Sequence, residues 1–465
     1  MFRRKVYDEL MDWKQNGKKP LLIYGQRQVG KTYIIDHFAK ENFGTYIYAD
    51  LSRDSAFRQI FESGDQTAES IIQSIRVVRR IKDMDPEDTI IFLDEVQESE
   101  GAISSLKAFR TDGRFRVIAS GSMLGVMTNP NPVSEEGERQ NSISPMGSAR
   151  PVDMRSMDFE EFLWANDIPA DAISKVRTLI KDREPIPEAI LEEFSRLYRI
   201  FMITGGMPAS VQAYVDEKST FSGSQDELED IVLQIRHDIT RCCPDKEVTK
   251  TLECFDSIPY QLADTNKRFH YSKIDPEGSY KKKSRKAADR YMENLLWLRD
   301  AGYGNFCYAL TQIKTPLKGQ SKRDVFKVYM SDTGILTHMY GDAMISAIFT
   351  SDQSYNQGAV TENMVAESLV KCGYPPMYYN KKNGAGRMEI DFVVETFGGI
   401  AAIEVKSGKD RDAPSINKVS DHFEVARKIM FENGNIRVDE NGIEHYPLFA
   451  SAFFDSMDER PAFLR

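Results

Sequence analysis

Leu21-Leu22-Ile23-Tyr24-Gly25-Gln26-Arg27-Gln28-Val29-Gly30-Lys31-Thr32 runs directly into Tyr33-Ile34-Ile35-Asp36-His37-Phe38. An apolar run of strand length, a loop of the form G-x-x-x-x-G-K-T and an apolar helical pattern follow one another without a gap, the order a phosphate-binding loop requires. The glycines let the backbone curl so that its N–H groups converge on an anion, and the helix after the loop adds its positive end. Gly25, Gln26, Arg27, Gln28, Val29, Gly30, Lys31 and Thr32 are therefore expected to bind ATP. Lys31 would reach the β and γ phosphates, and the Thr32 hydroxyl is placed to ligate Mg2+. The competing reading, a glycine turn with a chance lysine, is disfavoured by the strand before it and the helix after it.

Outward from the loop, Thr45 to Asp50, Thr89 to Leu93 and Phe115 to Ser120 are further apolar runs separated by helical patterns. That alternation predicts an α/β fold with a parallel sheet covered on both faces. Thr89-Ile90-Ile91-Phe92-Leu93 ends in Asp94-Glu95, at the strand end where parallel sheets place ligands. Asp94 would hold the Mg2+ and its water, and Glu95 would activate or orient the water that attacks the γ phosphate. The alternative is a helix cap. After the next strand, Ser122, with Ser120 second, is the candidate for contact with the γ phosphate or that water; a plain Ser-Gly turn is the alternative. Arg110, Arg114, Arg139 and Arg150 are all candidates for charge neutralisation.

The chain has 465 residues, which at about 100–200 residues per domain implies three or four domains. With 41% hydrophobic and 28% charged residues, its composition excludes wholesale disorder. No window approaches the ~18 consecutive apolar residues of a membrane span, so no membrane partner is expected. Met1-Phe2-Arg3-Arg4-Lys5 leads into polar residues rather than an apolar signal core, so a cytoplasmic location is expected. The five cysteines contain no Cys-x-x-Cys pair and the six histidines no ligand spacing, so neither zinc nor a disulfide framework is expected. The net charge is −10, yet residues 265–330 hold 15 Lys and Arg against 6 Asp and Glu, a local +9 that leaves −19 for the rest. DNA could dock on that segment through Lys281-Lys282-Lys283-Ser284-Arg285-Lys286; a solvated lysine-rich loop is the alternative.

Further along, residues 127–149 are polar, without apolar periodicity, and are expected to be a long loop. Helical periodicity runs from Asp158 to about Asp245. Helices, a turn at Gly302 to Gly304 and the strand Phe326-Lys327-Val328-Tyr329 then suggest a winged helix. After Gly358 a helix precedes strands at Met377 to Tyr379, Glu389 to Val394 and Ile400 to Val405, a second α/β unit. In the last of these, alternate side chains share a face, so Glu404 and Lys406 point together, and the preceding strand can bring Asp391 beside them. Two carboxylates and a lysine on neighbouring strands can hold Mg2+ and position a water against a phosphodiester. A hairpin flanked by solvated charges is the alternative.

The phosphate loop, the strand ending in Asp94-Glu95, the Gly121-Ser122 pair, Ser156-Met157-Asp158-Phe159-Glu160-Glu161-Phe162-Leu163 and Gly205-Gly206-Met207-Pro208 occur here in one order. Phe326-Lys327-Val328-Tyr329-Met330-Ser331-Asp332-Thr333-Gly334 and Gly358-Ala359-Val360-Thr361-Glu362-Asn363 follow. In this the chain resembles a family of prokaryotic AAA+-type P-loop ATPases with a C-terminal domain of unknown function that has a restriction-endonuclease-like core. The resemblance implies a P-loop ATPase core at 1–160, a helical lid at 161–245, a winged-helix-like domain at 246–336 and a restriction-endonuclease-like α/β domain at 337–465. Asp391, Glu404 and Lys406 then look like the D…E-x-K pattern of restriction-type nucleases, with Glu362 as a fourth member. The polar stretch at 127–149 departs from the family pattern. The expected function is Mg2+-dependent ATP hydrolysis coupled to a nuclease-like domain acting on nucleic acid. The alternative is a nucleotide-switched scaffold or remodelling ATPase, with a protein partner or self-association and an inert C-terminal domain.

Overall fold

The computed structural model describes residues 2–62, 65–122, 147–217, 220–264, 267–274, 284–352, 357–381, 387–408 and 414–458. The chain divides into two compact units, Arg3–Ser156 with Asp300–Gly302, and Met157–Arg299 with Tyr303–Arg465.

The first unit is built on five parallel strands: β1 (Leu21–Gly25), β2 (Thr45–Asp50), β3 (Thr89–Asp94), β4 (Arg116–Ser122) and β5 (Arg150–Asp153). Their order is β2-β3-β4-β1-β5. The central strand β3 is buried at every position, which is why it reads as an unbroken apolar run rather than an alternating one. Ile91, Leu93, Val117 and Ala119 pack with Phe57, Phe61, Ile72 and Phe109 from the helices on one face. Those helices begin where polar residues satisfy their first amides: Thr67 accepts from Ser70 N at 3.4 Å and Ser99 from Ala102 N at 3.2 Å. The four strands expected from sequence form, and β5 is an additional one. It has four residues and contains Pro151, which an edge strand tolerates because one side of it needs no ladder partner.

The second unit combines helices with an eight-stranded mixed sheet. Its strands are β6 (Gly304–Leu310), β7 (Ser321–Met330), β8 (Met377–Lys381), β9 (Met388–Thr396), β10 (Gly399–Val405), β11 (Arg427–Glu432), β12 (Arg437–Val438) and β13 (Ile443–Pro447). Their order is β12-β13-β11-β10-β9-β8-β6-β7. The hairpin expected as the wing of a separate 246–336 domain is β6–β7, and it extends the C-terminal sheet: Tyr308 pairs with Met377 and Ala309 with Tyr378. The boundary expected at 336 is thus crossed by a continuous sheet. The second edge of β6 is not solvent but β8, and short-range periodicity carries no information on which distant strand completes a ladder.

The helices expected as a lid, from Phe159–Ala165 to Ser222–Cys242, belong to this second unit and share its aromatic core. Phe159 packs on Phe449 and Phe453, and Tyr198 OH meets Ser451 Oγ at 3.0 Å. Asp158 and Glu161 cap the helix start reciprocally, at 2.9 and 3.1 Å. Gly205 and Gly206 sit where the chain passes close to itself. Met157 N donates to Gly206 O at 2.7 Å, and Gly206 N to Asp332 Oδ2 at 2.9 Å. A Cβ on Gly205, whose φ is +66°, would lie 2.0 Å from Asp332 Oδ1. Three motifs far apart in sequence are therefore one packing junction. Among the described residues no helix is long and apolar enough to cross a membrane.

Candidate functional sites: the phosphate loop and a C-terminal acidic cavity

The loop between β1 and the helix Lys31–Asn42 takes the backbone shape its glycines permit. Gly30 has φ 92° at the helix start, and a Cβ on Gly25 would meet Met154 O at 2.0 Å. Lys31, 8% exposed, folds back so that Nζ donates to Gly25 O at 3.1 Å and Gln26 O at 2.8 Å. Arg4, which sequence reading did not single out, braces the loop from outside: its guanidinium donates to Val29 O at 3.0 Å and Arg155 O at 2.7 Å.

Asp94, at the end of β3, gathers the surrounding hydroxyls. Thr32 Oγ1 donates to it at 2.8 Å, Tyr48 OH at 3.3 Å and Glu95 N at 3.1 Å, and Ser120 Oγ donates to its other oxygen. The carboxylate is 4% exposed, and among the described residues no lysine or arginine pairs with it. A buried anion compensated only by neutral donors fits a cation beside it, so Thr32 and Asp94 suit Mg2+. Burial, followed by Asp94 and Asp50, pushes the Tyr48 phenol above its usual range. Glu95 adopts the left-handed conformation (φ 52°, ψ 47°) and accepts from Gln97 Nε2. Such a conformation in a residue other than glycine is the kind of strain that clusters at functional positions.

Ser122 stands opposite Gly25 in the β1–β4 register, beside the start of the loop, whereas Ser120 is the serine that reaches Asp94. The candidate arginines lie elsewhere. Arg150 pairs with Leu21 at the opening of β1 and bonds Asp12 at 3.2 Å; Arg114 bonds Glu69 and Asp112 at 2.6 and 2.8 Å; Arg110 donates to Gly147 O. All three occupy the strand-start edge of the sheet, opposite the phosphate loop. Arg139 lies outside the described residues.

In the second unit the candidates Glu362, Asp391 and Glu404 line one cavity of about 310 Å3, together with Lys267, Lys327, Glu389 and Ser415. Helix Gly358–Lys371 supplies Glu362, β9 supplies Asp391 and β10 supplies Glu404. Glu362 is clamped: Lys327 Nζ lies 2.9 Å from Oε1, Lys267 Nζ bonds Oε2, and Tyr329 OH donates to Oε1. Burial alone would raise its carboxyl, but the two lysines outweigh burial and hold it down at about 2. Asp391 Oδ2 accepts Val405 N at 3.0 Å, and burial, then Glu362, push it up to about 6. Burial and the neighbouring Asp391 push Glu404 up to about 8, against the pull of Lys406 Nζ at 3.2 Å.

Lys267, Lys327 and Tyr329, which hold Glu362, and the cavity-lining Glu389 and Ser415 were not candidates in the sequence. Among the described residues no three His, Cys, Asp or Glu side chains are placed to hold a metal ion. One atom nonetheless fits a cation: Glu404 Oε2 is buried without a hydrogen-bond partner. Of the basic run at 281–286, Lys281, Lys282 and Lys283 lie outside the described residues.

Phosphate loop, acid-tipped central strand and parallel sheet together define a P-loop ATPase fold. Residues 17–163 match the family described as an AAA domain, and the first unit is an AAA-type P-loop ATPase domain. Residues 195–346 and 357–449 match two domains of unknown function, DUF8612 and DUF4143. No curated protein matches the chain. Among solved structures it is similar to the Walker-type ATPase paby2304 of Pyrococcus abyssi, at 14% identity over 73% of this chain and 96% of that one, with a TM-score of 0.39. It is also similar to AMPPCP-bound DnaA from Aquifex aeolicus, at 14% identity over 64% and 88% of the two chains, with a TM-score of 0.28.

Proposed function

We propose that the chain is a Mg2+-dependent ATPase whose second unit carries a metal-dependent site for phosphodiesters of nucleic acid, working in the cytoplasm. In the first unit Lys31 leaves the loop carbonyls for the β and γ phosphates, and Thr32 and Asp94 hold Mg2+, which offsets charge on the phosphate oxygens. Glu95 accepts the proton of the attacking water and Ser122 steadies the γ phosphate from β4. In the second unit Asp391 and Glu404 are the metal-holding pair, Glu362 is a fixed anion behind them, and Lys406 orients the water. The observation that carries the second half is the buried, unpartnered Glu404 Oε2 beside Asp391.

The test is ATP turnover in Mg2+ with and without duplex or single-stranded DNA, following the strands on a gel. Turnover lost in Lys31→Ala, and strand cleavage lost in Glu404→Ala while turnover persists, is the expected result. The clamp of Lys267 and Lys327 on Glu362 favours a second reading, a nucleotide-switched scaffold or remodelling ATPase with a protein partner or self-association. Turnover indifferent to DNA, with strands intact, would select it.

A further inference from the structure

A second, larger cavity, of about 770 Å3, opens within the second unit. One wall is the helix Glu188–Thr204, whose Leu191, Ser195, Tyr198 and Met202 recur at three- and four-residue spacing and share a face with Arg199. The facing wall lies at the carboxyl ends of the parallel strands β10, β11 and β13, where Ser407, Asn433 and Phe449 stand. Parallel strands present ligand sites at that end. The floor is apolar, since Tyr198, Met202 and Phe449 are all buried.

Arg199 is the anomaly of this cavity. It is half-buried, and among the described residues it forms no hydrogen bond or ion pair; burial, then the neighbouring Arg196, push its guanidinium below the ordinary range. Of the other charges at the cavity, Arg196 is held by Glu193 at 2.7 and 2.8 Å and Glu432 by Arg437 at 2.7 Å and His445 at 3.1 Å, while Glu188 and Glu192 stand exposed on the rim, where water screens them. A guanidinium half withdrawn from water without a partner carries part of a desolvation cost that an incoming anion would offset, and its planar fork matches phosphate oxygens. A phosphate alone would leave the apolar floor bare. The volume falls within the ~300–1,000 Å3 usual for small-molecule sites.

We propose that this cavity binds a nucleoside phosphate, with the phosphate on Arg199 and the base against the Tyr198, Met202 and Phe449 floor. It is separate from the phosphate loop and from the acidic cavity, and it does not rest on the activity of either.

Equilibrium dialysis of radiolabelled ATP, AMP and inorganic phosphate against the full chain tests it. ATP binds at two equivalents per wild-type chain and one in Lys31→Ala. In the Lys31→Ala background AMP still binds, Arg199→Leu weakens it about tenfold or more, and Ser195→Tyr, which fills the cavity while sparing Arg199, does the same. No nucleotide bound by Lys31→Ala at millimolar concentration, or binding unchanged by both further substitutions, overturns the proposal. Inorganic phosphate binding as tightly as AMP overturns the nucleoside half of it. A wild-type stoichiometry of one that is abolished by Arg199→Leu would locate the failure in the phosphate loop instead.

Discussion

Glu404→Gln is expected to stabilise the second unit at pH 8 and to change it little at pH 5. Burial and Asp391 raise the Glu404 carboxyl from 4.5 to about 8 in the folded state, so between those values the folded unit holds a proton that the unfolded chain has released. Stability therefore falls as pH rises through that window and has lost the full contribution above pH 8. Each tenfold gain in proton affinity on folding corresponds to about 1.4 kcal/mol; with the titration shared with Asp391, the cost at pH 8 is on the order of 3 kcal/mol. Gln removes that cost. The pull of Lys406 at 3.2 Å is already contained in that raised value, so the gain is on the order of 3 kcal/mol at pH 8 and below about 1 kcal/mol at pH 5, where the folded wild-type group is already neutral. Urea unfolding followed by Trp164 and Trp297, the tryptophans of that unit, measures it. Added Mg2+ at pH 8 should stabilise the wild type and not the variant. A variant no more stable than wild type at pH 8, or a gain equal at both pH values, would refute the reasoning.

Three further outcomes are expected. Glu362→Gln leaves Lys327, whose side chain is 2% exposed, without its main counter-charge, and should cost about 3–5 kcal/mol; adding Lys327→Met should recover at least about 1 kcal/mol in a double-mutant cycle, and strict additivity would count against the clamp. Gly205→Ala drives a Cβ onto Asp332 Oδ1 at a φ of +66°, and should lower the stability of the second unit by about 2–4 kcal/mol by urea titration; a neutral effect would contradict the close approach. Tyr48→Phe removes one donor to Asp94 and should lower kcat for ATP severalfold while leaving thermal unfolding of the first unit unchanged; equal kcat would show that the hydroxyl is idle.

The two sites differ in how much of them could be read in advance. The phosphate loop is eight contiguous residues, and Asp94 follows from the rule that parallel strands carry ligands at their carboxyl ends. Tyr48 and Ser120 join Asp94 only through the β2–β3–β4 registers, which pair Asp50 with Asp94 and Leu93 with Ala119. The acidic cavity was legible in half: Asp391 and Glu404 lie on adjacent strands of one hairpin, and Lys406 follows directly on the second. Its lysines were not, because Lys267 and Lys327 reach Glu362 across 95 and 35 residues of chain. Arg199 carried no signal at all, being one arginine in a charged helical pattern until the facing strands close the cavity around it.

Sequence alone determined what neighbours along the chain determine: apolar runs of strand length, the helical pattern that begins at Asp158, and a glycine loop of eight contiguous residues between a strand and a helix. Tertiary structure decided which edges meet. It carried β6–β7 into the C-terminal sheet, placed the expected lid helices in the second unit, withdrew Glu404 from water and half-buried Arg199. Pairing register and desolvation are properties of segments brought together by folding, so their energies are set by the assembled unit and not by any stretch of residues within it.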